Sequence, residues 1–130
     1  MAIRIRRGTT RTVLVLGGMA FKIARNRAGI RSNRYEATIW KLNQGDSVRG
    51  ARLCPVLWSP RGGILLVMVA AAPLPLGVTP TSEWGDFWDY DPSKGEIDGW
   101  PGEFKREDWG VIDGRCVLVD YAAPVVRELA

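Results

Sequence analysis

Lys22 is the first residue in this chain whose neighbours leave room for chemistry. In Met19-Ala20-Phe21-Lys22-Ile23-Ala24, strand alternation places Lys22 on one face between Ala20 and Ala24, with Met19, Phe21 and Ile23 on the other. A cationic side chain between two methyl groups has space beside it for a ligand. Several chemistries are excluded at once. The chain has no histidine, which removes the Ser-His-Asp and Cys-His hydrolases and the HExxH proteases. Two cysteines, Cys54 and Cys116, cannot fill a tetrahedral zinc site or make a disulfide scaffold, and both are expected as packed thiols.

Charge is unevenly spread. Residues 1–61 hold 13 lysines and arginines against two acids, a net +11, and residues 62–130 hold five bases against 12 acids, a net −7. One reading is a basic surface over 1–61 that meets nucleic acid. The other is that the two halves fold against each other and neutralise one another across a cleft. The acids concentrate in Glu83-Trp84-Gly85-Asp86-Phe87-Trp88-Asp89-Tyr90-Asp91. So many large aromatics either pack as a cover for the apolar sheet or form an exposed partner site.

The elements that must position these groups fit in one domain of 130 residues, 46% apolar and 25% charged. Ile3 to Arg7 and Arg11 to Leu16 read as a hairpin about Gly8-Thr9-Thr10, and Gly17-Gly18 turns the chain into the Lys22 strand. Asn26 to Gly29 reads as a loop. Ser32 or Asn33 opens a helix to about Leu42, with Tyr35, Ile39 and Leu42 on its apolar stripe. Leu53 to Trp58 and Ile64 to Ala70 are strands, the second apolar throughout and hence central. Five prolines make most of residues 73–107 loop, with a short helix near Thr81 to Trp88. Trp109 to Ile112 and Arg115 to Val119 form a last hairpin about Asp113-Gly114, and Pro124 to Ala130 adds a turn or two of helix. The longest apolar run, Ile64 to Pro75, is too short to span a bilayer. The N-terminus lacks a signal-peptide core, so no membrane partner and a cytoplasmic location are expected.

This order of elements resembles a protein-kinase-like fold, much reduced. Met19-Ala20-Phe21-Lys22-Ile23 is close to that family's Val-Ala-Ile-Lys strand, and Glu36 would be the helix glutamate paired with the lysine. Met68 to Ala71 would form the hinge that reads adenine, with Met68 and Ala70 as cofactor contacts. Glu103-Phe104-Lys105-Arg106-Glu107-Asp108 keeps the spacing of the Asp-x-Lys-x-x-Asn catalytic loop, and Asp120-Tyr121-Ala122 stands where the family has Asp-Phe-Gly. The chain is similar to small phage-encoded kinase-like proteins with an Asp-Trp-Gly and Asp-Tyr-Gly signature, here Asp108-Trp109-Gly110 and Asp120-Tyr121-Ala122.

The resemblance implies an α+β domain over 1–130, with an antiparallel N-lobe-type sheet and one helix in 1–72 and a truncated C-lobe in 73–130. It implies Glu103 as base and Asp120 as catalytic acid group, Lys22 and Glu36 at the nucleotide, and Asp108 with Asp120 holding magnesium beside ATP. Without the metal, two carboxylates would repel a triphosphate, so affinity is expected to depend on magnesium. The altered catalytic positions, the single glycine in Arg6-Arg7-Gly8-Thr9-Thr10 and the missing helical lobe point to a pseudokinase that binds a nucleotide or a host protein. A small active phosphotransferase and an anti-CRISPR-like inhibitor of a host defence or transcription complex are the alternatives. Each residue also has a structural reading. Lys22 would be an exposed strand lysine, Glu36 a capping-box partner of Asn33, Asp120 a strand-end turn residue and Asp108 a surface acid beside Trp109.

Overall fold

Two glycines set the register of the first sheet. Gly17 and Gly18 both take positive φ, 56° and 80°, the left-handed pair that a two-residue hairpin turn requires. They join β2 (Arg11–Leu16) to β3 (Met19–Ala24) with Val13 opposite Lys22 and Val15 opposite Ala20. In this computed structural model, which describes residues 3–127, β1 (Ile3–Arg7), β2, β3, β4 (Val56–Trp58) and β5 (Leu65–Val69) form one antiparallel sheet in the order β1-β2-β3-β5-β4. Directly opposed residues share a face. The inner face therefore carries Arg4 and Arg6 of β1, Arg11, Val13 and Val15 of β2, Ala20 and Lys22 of β3, and Leu66 and Met68 of β5. β5 is central, as its unbroken apolar run predicts, with Leu66, Val67 and Met68 all buried.

The long helix α1 spans Arg27–Asn43 and begins earlier than expected. Its cap is Asn26, whose side chain accepts from the Gly29 amide at 3.0 Å. The stretch 26–29, expected as loop, is thus the cap and first turn, and the capping box between Asn33 and Glu36 does not exist. The early start has a physical source. The buried stripe of α1 is Gly29, Ser32, Asn33, Glu36, Ile39 and Asn43, mostly polar, while Leu42 is 61% exposed. Glycine at 29 is required by a close approach: a Cβ there would lie 2.1 Å from the Thr10 carbonyl oxygen. The Gly8-Thr9-Thr10 tip is pinned to the start of α1, its three carbonyls accepting from Arg25 and Asn26.

After α1 comes a single turn, α2 (Arg49–Arg52), and the strand expected over 53–58 shortens to β4. Leu53 instead makes an isolated parallel bridge to Leu118. A second sheet, β6-β7-β8, joins Ala72–Pro73, Trp109–Ile112 and Arg115–Leu118. The turn between its last two strands is Asp113-Gly114, with φ 50° and 77°. β6 is two residues long and escaped the sequence reading. The predicted short helix in the proline-rich segment is a 3₁₀ turn over Ser82–Gly85, with three more 3₁₀ turns before β7. The chain closes with α3 (Ala123–Arg127); the last three residues of the expected terminal helix lie outside the described ones.

One apolar core runs through both halves, from Ile39 on α1 through Leu53, Leu66 and Met68 to Trp88, Trp109, Leu118 and Tyr121. The architecture is a small α+β domain, and among the described residues no helix is long and apolar enough to cross a membrane.

Candidate functional site

The site is assembled around a carboxylate with no exposure at all. Glu36, on the inward stripe of α1, is 0% exposed. A buried carboxylate is tolerable only if its oxygens are matched by donors, and these are. Lys22 Nζ donates to Oε1 at 2.9 Å and to Oε2 at 3.2 Å, an Arg11 guanidinium nitrogen donates to Oε1 at 2.5 Å, and the Tyr121 amide donates to Oε2 at 2.7 Å. Strand alternation turns Lys22 and Arg11 to the same face, and the start of the chain after β8 supplies Tyr121. Lys22 is itself buried, 6% exposed, and also donates to the Val119 carbonyl at 2.6 Å. It is no exposed strand lysine.

Arg11 ties the cluster to Asp120. The guanidinium nitrogen that bonds Glu36 also donates to Asn33 Oδ1 at 3.1 Å, and the other terminal nitrogen lies 3.2 Å from Asp120 Oδ1. Burial works against the Arg11 charge, but Glu36 and Asp120 outweigh it and hold its pKa above the ordinary arginine value. At Asp120 burial opposes ionisation and is overcome by Lys22 and Arg11, which keep its carboxyl below the usual range. Asn33 completes the frame, its amide donating to the carbonyls of Lys22 and Gly63 at 3.1 and 2.8 Å. Arg11 is the functional residue missed from sequence. Its signal was an arginine on a strand face otherwise given to Val13 and Val15, an inward charge that demands a partner.

A cavity of about 940 Å³ opens between the inner sheet face and the second sheet, within the size range of small-molecule sites. Val13, Val15, Ala20, Met68 and Leu74 make apolar walls, while Lys22, Arg11 and Asp120 sit together on its surface. Ala70 also lines it, but its amide is already given to the Gly18 carbonyl at 2.9 Å, so it offers a wall and not a donor. Cys54 lines the cavity as a buried thiol, pushed up to about 11 mainly by burial, and is no nucleophile at neutral pH.

Of the other two expected residues, Glu103 stands apart and Asp108 lies beside Asp120 behind the cavity wall. Glu103 does not line the cavity and pairs with Lys105 at 3.2 Å. Asp108 is no surface acid: it is 9% exposed, and its carbonyl accepts the Val119 and Asp120 amides at 2.8 and 3.3 Å. Burial first, and then repulsion from Asp120, Glu103 and Glu107, holds its carboxyl up at about 7. Such a carboxyl favours the folded state when protonated, so its contribution is complete below about pH 4, the unfolded value, and is lost as pH rises through about 7. Asp108→Asn should therefore raise Tm at pH 8 and leave it nearly unchanged at pH 4, measured by thermal melts at both.

The magnesium implied by the resemblance fits these residues poorly. Asp120 Oδ1 already faces Arg11, both Glu36 oxygens are committed, and among the described residues no three cysteine, aspartate or glutamate side chains are grouped to hold a metal ion. Comparison of the chain with protein-family models, with curated proteins and with solved structures finds no match.

Proposed function

We propose that this protein is a binding domain of reduced, kinase-like design that takes a nucleotide in the cavity and does not transfer its phosphate. The observation that carries this reading is Lys22, held by the buried Glu36 at 2.9 Å and set beside Asp120 on the surface of a cavity that has apolar walls at Val13, Val15, Ala20, Met68 and Leu74 and a basic edge at Arg4 and Arg6. Flat apolar walls suit a base, and a cationic end suits phosphates. Catalysis is disfavoured because Glu103, the residue that would take the acceptor proton, lies outside the cavity lining, and a base must reach the proton it removes.

Thermal shift tests the reading. Ligand at a hundred times its dissociation constant adds about 2.7 kcal/mol of stability, which in a domain of this size raises Tm by roughly 5–15 °C. Millimolar ATP or GTP should produce such a rise, with no phosphate transferred to a generic acceptor protein. A flat response to every nucleotide would sink the proposal, and autophosphorylation lost in Asp120→Asn would make the protein an enzyme.

A second reading rests on the acids. Glu83, Asp86, Asp89 and Glu96 stay at the surface while Trp84, Phe87 and Trp88 between them turn inward. The result is an acidic face of the kind that meets a basic groove on a host protein. Salt-sensitive binding to a purified nucleic-acid-binding factor, abolished by reversing these charges, is its test.

A further inference from the structure

We infer that the cavity binds its phosphorylated ligand as the free anion, without a divalent metal, because Arg11 already supplies the cation that the acidic side of the site needs. The inference rests on the nucleotide reading above and adds the charge state in which the ligand is taken.

The argument starts from what Arg11 touches. One guanidinium nitrogen is shared by Glu36 Oε1 at 2.5 Å and Asn33 Oδ1 at 3.1 Å, and the other meets Asp120 Oδ1 at 3.2 Å. The residue is 7% exposed, and its backbone is held in β2 by pairing with Ala24. It is therefore a fixed charge and not a surface arm that swings clear when a metal arrives. A divalent ion approaching Asp120 would meet this guanidinium, with the Lys22 ammonium also near enough to lower the Asp120 pKa. Like charges at such separations repel.

The rest of the wall points the same way. The cavity is lined by Arg4, Arg6, Arg11, Lys22 and Arg106 against only Glu107 and Asp120. Three of these bases are spoken for internally: Arg11 by Glu36, Asn33 and Asp120, Lys22 by Glu36 and Val119, and Arg106 by the carbonyls of Leu74, Pro75 and Val78. Arg4 and Arg6 are different. They sit opposite Val15 and Val13, project on the cavity side of β1 and stay exposed. Guanidinium forks match phosphate oxygens two at a time and need no metal between. The two arginines at the edge strand are therefore the phosphate grip, and the ligand is a nucleoside di- or triphosphate lying with its base against Val13, Val15 and Met68. The repulsion that the carboxylates of Asp108 and Asp120 would exert on a triphosphate is reduced, because Asp120 is paired with Arg11 and Asp108, outside the cavity lining, is held up at about 7 by burial first.

The experiment compares ATP titrations of the whole protein in EDTA and in excess magnesium, by thermal shift and calorimetry, with manganese alone followed by electron paramagnetic resonance. The expected result is an affinity in EDTA within about threefold of that in magnesium, with manganese alone keeping its free-ion spectrum. The double variant Arg4→Ala/Arg6→Ala, confined to an exposed edge strand, should fold and lose at least tenfold in ATP affinity. Binding only in magnesium, capture of manganese by the protein alone, or full affinity in the double variant would each overturn the inference and leave nucleotide binding standing. Failure of ATP, ADP and GTP to bind in either buffer would instead remove the nucleotide reading itself, and this inference with it.

Discussion

Glu36→Ala should leave the protein unfolded, or nearly so, at room temperature. The substitution strands two cations in the interior: Lys22, 6% exposed, keeps only the Val119 carbonyl, and Arg11 keeps Asn33 and the partly exposed Asp120. The buried Tyr121 amide loses its acceptor as well. Breaking a buried ion pair from one side costs about 3–5 kcal/mol, and an unmatched amide adds about 1–3 kcal/mol. Domains have only about 5–15 kcal/mol in hand. Urea unfolding followed by circular dichroism reads the effect directly. Glu36→Gln should fall between, since it retains an acceptor for Tyr121 but no charge. A Glu36→Ala protein that unfolds at the same urea concentration as the parent would mean that the cluster does not hold the two halves together.

The second large effect is expected in the aromatic segment. Trp84→Ala/Trp88→Ala should unfold the domain, because removing the buried Trp88 costs about 3–5 kcal/mol and the half-buried Trp84 adds to it. Trp88 is 7% exposed, lies edge-on to Phe87 and Trp100 at centroid distances of 6.2 Å, and donates from Nε1 to the Asp98 carbonyl at 2.6 Å. The Arg49 guanidinium carbon lies 4.0 Å above its ring centroid, and that arginine is bonded to Asp98 at 2.5 Å. Trp84 meets Trp109 edge to face at 5.2 Å. Trp58→Ala is the control, since Trp58 is 59% exposed, and its melt should move little. A double variant that stays folded but loses a partner would make this segment an interface.

How much of this could be read from residue order depends on the range of the interaction. Turns are local, and Gly17-Gly18 and Asp113-Gly114 carry their backbone requirement in their own composition, so both hairpins were legible. Lys22 was legible through strand alternation, and Glu36 only through the resemblance that pairs a helix glutamate with that lysine. The start of α1 was not, because apolar periodicity is blind to a buried stripe built from Ser32, Asn33, Glu36 and Asn43. Arg11 showed in sequence only as an inward charge in need of a partner, and that partner, Asp120, lies 109 residues away. The same holds for Asp108, whose burial is created by neighbours that no local pattern brings near. The charge split was open to two readings, and Arg11–Asp120 and Arg49–Asp98 are ion pairs of the kind that joins the halves.

The closing of the Glu36 carboxylate by the Tyr121 amide also sets an order of events during synthesis. Glu36 leaves the ribosome 85 residues ahead of the group that completes its shell, an interval of roughly 4–17 s at ordinary elongation rates. Through that interval the charges of Arg11, Lys22 and Glu36 lack the Tyr121 amide and Asp120 that complete their cluster, and the apolar side chains of β5 lack the cover that β7 and β8 supply. Contacts of such long span are also slow to find. The chain therefore acquires its structure late and all at once, and its emerging first half is the stage most in need of a chaperone.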